Sequence, residues 1–348
     1  MKLPQLTALL CIAGAVFADE GAVSTPAPEP PSTLRESVNS LDESQIQKAL
    51  EALETNYLSK EVLEGSARQK ALLEGLVSRL APGASLVSDT EKSKEPIPFL
   101  AEILDERAGY IRPGAMNADA LTQMDAALEN FASKAMPALV LDLRAIPGGS
   151  EFDMAAGFAK RFCPKGSILF TIEKPNAKQE RILTSDKDAV FTGILVVLVD
   201  SDTSGAAEAL AASLRTNASA MIVGMTTTGG AVEFAEFPLG GGRMLRVAVA
   251  QVIVPGAGAL FPEGVKPDIS VSLDPEIQSR IFKRSQEQGV SQFVFDIERP
   301  RLNEAALLAN TNPEITGTND GDNAGDSLRD IVLQRAVDLV TAITFYQK

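Results

Sequence analysis

The sequence has no histidine and no tryptophan, and only two cysteines among its 348 residues. Without histidine the chain lacks the commonest general base near neutral pH and the commonest transition-metal ligand. No metal and no cofactor are therefore expected. Cysteine is almost as scarce. Cys11 lies in an apolar N-terminal stretch, and if that stretch is removed Cys163 stands alone, with no intrachain disulfide open to it. Its neighbours Phe158 and Phe162 make it a buried thiol rather than a nucleophile. Positive charge is also short: 32 Lys and Arg against 46 Asp and Glu give a net charge of −14. Such a surface repels phosphate backbones, so nucleic acid is excluded as a partner and anionic membranes are poor ones.

Long apolar runs are missing too. Leu6 to Phe17 supplies about a dozen apolar residues, where a bilayer needs roughly 20. With Lys2 ahead of it and Val16-Phe17-Ala18 behind, this stretch reads as a signal peptide over 1–18, cut before Asp19. Export to the periplasm or beyond is expected, with no stable membrane anchor. Residues 19–33, carrying Pro26, Pro28, Pro30 and Pro31, read as a disordered linker.

Helical signals fill residues 34–96. Ser40 and Glu43 form a capping-box pattern ahead of Leu41, Ile46, Leu50 and Leu53, and a second helix over Lys60 to Leu80 stops at Pro82-Gly83. Together they predict an N-terminal helical hairpin. Residues 97–275 alternate short apolar strands with helices: strands at Ala138 to Leu143, Ile168 to Ile172, Ile194 to Val199 and Ala220 to Val223, helices at Ala118 to Ala132, Phe152 to Phe162 and Ala206 to Leu214. That alternation predicts an α/β core with a largely parallel sheet. Val232 to Phe237 and Leu245 to Val254, separated by three glycines, predict a β-hairpin appended to it. Residues 276–348 form a C-terminal extension with a polar loop at 311–326 and a docking helix at 327–346. Asp320-Gly321-Asp322 tempts a calcium reading, but Ala324 and Ile331 stand where an EF-hand needs oxygen ligands.

Three segments then carry a resemblance. Leu141-Asp142-Leu143-Arg144 leads into Pro147-Gly148-Gly149; Val197 to Gly224 follows; Gly264-Val265-Lys266-Pro267-Asp268-Ile269 closes the series. In this order they resemble the L-D-L-R-x-N-P-G-G, S-A-S-A-S-E and G-(I/V)-x-P-D-(I/V) motifs of the C-terminal-processing, or tail-specific, serine proteases. The resemblance implies a ClpP/crotonase-like core and a Ser nucleophile deprotonated by a Lys. It also implies an oxyanion hole built from backbone N–H groups, here Gly148 or Gly149 and Ala206.

Two departures stand out. Only about twenty residues, 88 to 106, occupy the place where many family members carry a PDZ domain. Aligning the motif's Glu on Glu208 puts the nucleophile position on Gly205, and continuing without a gap puts the base position on Gly230. Glycine can neither attack a carbonyl nor take a proton. Ser204 is the possible substitute, one residue early, with Lys134, Lys160, Lys174 and Lys266 as remote bases. The resemblance therefore implies an exported pseudoprotease that binds peptides or protein C-termini. The alternatives are an active serine peptidase using a displaced Ser204, an apolar small-ligand binder and a structural role. The oligomeric state is not readable from the chain.

Overall fold

A computed structural model describes residues 34–88, 97–146, 148–175, 180–294 and 328–346. The expected signal peptide, linker and 311–326 loop lie outside the described residues, as does Pro147. The chain divides into two compact units, residues 1–71 and 72–348.

In the first unit α1 (Leu34–Asn39) and α2 (Glu43–Asn56) are followed by a 3-10 turn (Lys60–Leu63), and α3 (Gly65–Leu80) crosses the boundary. The α2 cap differs from the predicted one. Asp42, not Ser40, is the N-cap: its carboxylate accepts from the Gln45 N–H at 2.8 Å while Gln45 reaches back to the Asp42 N–H at 2.9 Å. Ser40 is unavailable because its hydroxyl donates to the Ser37 carbonyl at 2.7 Å, closing α1. The predicted helix over 60–80 is likewise interrupted: the 3-10 turn ends at Leu63, Glu64 is extended, and α3 starts only at Gly65 with φ +55°.

The second unit holds two six-stranded sheets. The first contains β2 (Leu100–Leu104), β3 (Ala108–Arg112), β4 (Ala138–Asp142), β7 (Ile194–Val199), β8 (Met221–Gly224) and β12 (Ile269–Ser270), in the order β12-β8-β7-β4-β3-β2. All neighbours are parallel except the β2–β3 pair. The continuous apolar runs of β4 and β7 are explained by burial on both faces. Leu139, Leu141, Val197 and Val199 face the larger core with α4 (Ala118–Ser133), α5 (Phe152–Ala159) and α6 (Ala206–Ala218). Val140, Val196 and Leu198 face the opposite core, which α8 (Ile331–Tyr346) covers with Val332, Ala336 and Val340.

The second sheet was not foreseen as such. It consists of β1 (Ala84–Ser88), β5 (Ile168–Glu173), β6 (Arg181–Thr184), β9 (Val232–Gly240), β10 (Arg243–Val254) and β11 (Gly258–Ala259), antiparallel throughout. The β9–β10 hairpin is therefore not appended to the core but is the spine of this sheet. Twelve-residue β10 pairs with β1 and β5 along one side and with β9 and β11 along the other. The strand expected at 168–172 belongs here, not to the parallel sheet. Strand β1 lies within the stretch read as purely helical. Between the last sheet strand and α8, α7 (Pro275–Gln288) begins with an Asp274 cap and Pro at its first position, followed by a 3-10 turn at Ser291–Phe293.

Candidate functional site

The parallel strands end where the family motifs begin. Asp142 closes β4, and its carboxylate receives Arg144 at 2.9 and 2.6 Å and the Tyr110 hydroxyl at 2.8 Å. The other edge of the same guanidinium binds Asp330 at 2.9 and 2.7 Å. Asp330 in turn accepts from the Leu333 N–H at 3.0 Å in the first turn of α8. Phe282 of α7 places its ring under Arg144 and under Arg112, the closer at 4.4 Å. All five polar or charged members of this network, Arg112 included, are buried. Burial alone would raise the Asp142 carboxyl, but the Arg144 guanidinium outweighs it and holds the group below its ordinary range. The L-D-L-R resemblance thus marks a latch between β4 and the C-terminal helix, not a chemical group.

Beyond β7 the chain turns through Asp200, whose carboxylate gathers the Thr203 N–H at 2.8 Å, the Thr203 hydroxyl at 2.9 Å and the Ala145 N–H at 2.9 Å. This ties the two strand-end turns together. Gly205 then opens α6 with φ +61° and ψ −121°, a conformation open to glycine and strained for any residue with a Cβ. The space is closed as well. A Cβ at 205 would overlap the Gly149 carbonyl oxygen and lie 2.7 Å from the Gly149 nitrogen. The backbone of the 148–149 turn occupies the room that any side chain at 205 would use.

The expected oxyanion donor is also engaged. The Ala206 N–H donates to the Gly149 carbonyl at 3.0 Å, so the group expected to hold a substrate oxygen is satisfied inside the chain. This corrects the expectation for Ala206. The correction follows from the same closure: bringing Gly149 against Gly205 places its carbonyl on the first free N–H of α6. Gly148 lies against the Ser204 side chain and Gly149 against Gly205, Gly148 exposed and Gly149 half-buried.

Gly230 lies across from Gly205, and one buried carboxylate joins them. Glu208 accepts from the Gly205 N–H at 2.9 Å, from the Gly229 and Gly230 N–H groups at 2.7 Å each, and from the Thr227 hydroxyl. Thr227 itself accepts from the Val265 N–H at 2.8 Å, which draws in the G-V-K-P-D segment. Burial pushes the Glu208 carboxyl above its ordinary value, and the Thr227 and backbone donors work against that push. With two donors on each oxygen, Glu208 is an acceptor already in full use. It was present in the sequence only as the alignment anchor. Its role as a hub was hidden because three of its partners are peptide groups.

Ser204 is half-buried and its Oγ points into the same gap. A Cβ on Gly148 would meet that oxygen at 3.0 Å, and a Cβ on Gly230 would overlap it. Among the described residues the Ser204 hydroxyl has no hydrogen-bond partner. The lysines considered as remote bases are elsewhere. Lys160 pairs with Asp186 at 2.9 Å, Lys174 with Glu233 at 3.5 Å and Lys266 with Glu263 at 2.8 Å. Lys134 borders a groove against Phe99 and Phe131. Cys163 is buried and its thiol is pushed up to about 11 by burial, so it is protonated and inert at neutral pH. Among the described residues no cluster of cysteine and acidic side chains suits a metal ion, and no helix is long and apolar enough to cross a membrane. A pocket of about 310 Å³, bordered by Ser201, Asp202, Met225 and Leu273, adjoins the turn that carries Ser204.

The order of these turns on the parallel strands coincides with a known family. The sequence profile of peptidase family S41 matches residues 107–271. Residues 107–271 are thus similar to peptidase family S41. Curated relatives agree. The carboxyl-terminal-processing protease of Synechocystis sp. is 28% identical over 229 residues, covering 63% of this chain and 52% of that protein. The carboxy-terminal processing protease of Bacillus subtilis is 27% identical over 174 residues, covering 50% and 37%. The chain thus spans about half the length, or less, of these relatives. Among solved structures, a candidate peptidase from Parabacteroides merdae superposes with a TM-score of 0.51 at 15% identity, covering 69% of this chain and 85% of that one. The two share a mixed α/β fold. The photosystem II D1 C-terminal processing protease matches 64% of this chain and 54% of its own at 25% identity and a TM-score of 0.45.

Proposed function

We propose that this S41 relative is an exported pseudoprotease: it holds peptides or protein C-termini without cutting them. The observation that carries the reading is the way the chain has closed over the nucleophile position. Gly205 and Gly230 offer no reactive atom, and the space beside Gly205 is taken by the Gly149 backbone. Glu208 has its acceptors filled by Gly205, Thr227, Gly229 and Gly230, so it does not serve as a base in their place. The C-terminus as ligand is carried over from the relatives, which are carboxyl-terminal-processing proteases. The pocket beside Ser201 and Met225 gives such a peptide a place to lie. Export rests on the 1–18 signal, and an intact mass of the mature protein beginning at Asp19 checks it.

One observation favours a second reading, in which Ser204 is a displaced nucleophile. Its Oγ points into the gap between Gly148 and Gly230. It lacks a base, however, and a serine hydroxyl is a weak nucleophile without one. The two readings separate in one experiment. The purified protein is treated with a fluorophosphonate probe and, in parallel, incubated with casein. No labelling and no cleavage are expected, in the wild type and in Ser204→Ala alike. Labelling that Ser204→Ala abolishes would overturn the pseudoprotease reading. Capture of immobilised peptides through a free C-terminus, lost when that terminus is amidated, tests the binding half.

A further inference from the structure

Strand β2 ends the parallel sheet: it pairs with β3 on one side and, among the described residues, with no strand on the other. Edge strands are ordinarily guarded by a charged side chain or a proline, because a bare edge invites another strand. Leu100 to Leu104 contains no proline and a single charge, and that charge is turned away. The Glu102 carboxylate accepts from the Val290 N–H at 2.6 Å and from the Ser291 hydroxyl. Beside the bare edge runs a groove of about 520 Å³. One wall carries Phe99, Ala101 and Ile103, at the strand period of two; the other carries Ala126, Asn130 and Lys134, one ridge of α4. Helix α4 is seated over β3, where a Cβ on Gly109 would overlap the Phe131 ring. Its next ridge therefore stands over the place where a further strand would lie, and exposed Ala101 and Ala126 keep that place open.

We propose that this place takes an extended internal segment of a partner protein, added as a strand to β2. Apolar residues of the guest alternate toward α4, and an acidic side chain closes the run at Lys134. Main-chain hydrogen bonds to the bare edge supply affinity, while the alternation and the acid supply selectivity. Charge selects the acid. Helix α4 returns the chain from the end of β3 to the start of β4, so Lys134 lies level with the Leu104 end of β2. No carboxylate pairs with it among the described residues, in a chain whose acids outnumber its bases 46 to 32. A lone ammonium on a flexible stem suits a carboxylate side chain. A free C-terminus is held by clustered backbone N–H groups, and the last turn of a helix presents carbonyls instead. A second copy is disfavoured by the same helix. Pairing β2 with β2 about a two-fold axis normal to the sheet would bring two α4 ridges into one groove. The groove lies three strands from β7, and the proposal stands whether or not the Ser204 turn binds or cuts anything.

A displayed library of short peptides, flanked on both sides so that none has a free end, tests the idea against the full chain. Enrichment of alternating apolar sequences closed by Asp or Glu is expected. Ala126→Glu places a charge in the groove and should weaken binding of an enriched peptide at least about tenfold. Residue 126 is exposed, so thermal unfolding should not move. Lys134→Glu should turn the preferred closing residue from acidic to basic, which a damaged fold would not do. Amide exchange at residues 100–104 should slow when an enriched peptide is added. No enrichment overturns the proposal, as do enriched peptides indifferent to both variants. Sedimentation showing that copies pair, with the pairing abolished by Ala126→Glu, overturns it in favour of a second copy. Peptides that slow exchange at residues 200–206 and not at 100–104 overturn it too, while leaving the binding half of the proposed function standing.

Discussion

Two carboxylates sit buried at the ends of the parallel strands, and they are neutralised in opposite ways. Asp142 is met by a guanidinium and a phenol; Asp330 takes the other edge of that guanidinium and Arg112 supplies the second positive charge. Glu208 is met by three peptide N–H groups and one hydroxyl, with no cation at all. The first cluster is made of side chains and resists change because each charge needs its partner. The second is made of backbone, and it requires that the residues around it have no side chains. A site of the second kind can lose its reactive groups and keep its shape.

The largest expected effect comes from removing the cation of the first cluster. Arg144→Met leaves Asp142 and Asp330 facing each other in the core and should cost about 3–5 kcal/mol in urea unfolding. Proteolysis just before α8 should rise with it. The cluster also sets a pH dependence. Because the folded Asp142 carboxyl lies below its unfolded value, its contribution is present above the ordinary aspartate pKa of about 3.9 and is lost as pH falls through the folded one. Acid unfolding should therefore steepen at the low end, and Asp142→Asn should flatten that limb.

The second cluster should respond less and with the opposite sign. Glu208→Gln puts an NH2 group against two donors and should cost on the order of 3 kcal/mol, each stranded N–H contributing roughly 1–3. Since the folded Glu208 carboxyl is raised, its favourable contribution is present below the unfolded carboxylate pKa and fades as pH rises through the folded one. The Gln variant should remove that fading. Wild type and variant should then differ in slope within this window, where the Arg144 variant should not.

The smallest effect is the most pointed. Gly205→Ser places a side chain at φ +61° and against the Gly149 backbone, so it should cost about 2 kcal/mol. Combined with Gly230→Lys it should still not hydrolyse casein, because the 148–149 turn fills the room beside residue 205. Efficient hydrolysis by the double variant would mean that the turn yields easily and that the two clusters differ less than their geometry implies.

How far the chain could be read follows the same division. Strands β4 and β7 were legible because burial on both faces leaves unbroken apolar runs. Strand β10 was read as part of a side hairpin, because from Arg243 to Ala248 its burial does not alternate and only from Val249 does the period of two emerge. Strands β1 and β6 were missed: each is short and half exposed, and nothing local separates them from loop. Gly205 and Gly230 were legible from the motif register as a pair, and both do lie on the Glu208 carboxylate. That Gly149 closes over one of them was not legible, since no residue type encodes the approach of one peptide group to another. Helix α7 carried a readable Asp274-Pro275 start that the C-terminal assignment passed over.

The Arg144–Asp330 pair spans 186 positions of sequence. A ribosome delivers β4 and its arginine long before it delivers the aspartate that answers it. During that interval the cation has one partner of its two, and the face of the sheet that α8 will cover lies open. Parallel strands joined over long separations are slow to assemble and exposed while they do so. The latch therefore makes the final helix the step that seals the molecule, and a nascent chain stalled before Asp330 should be a preferred client for chaperones and proteases.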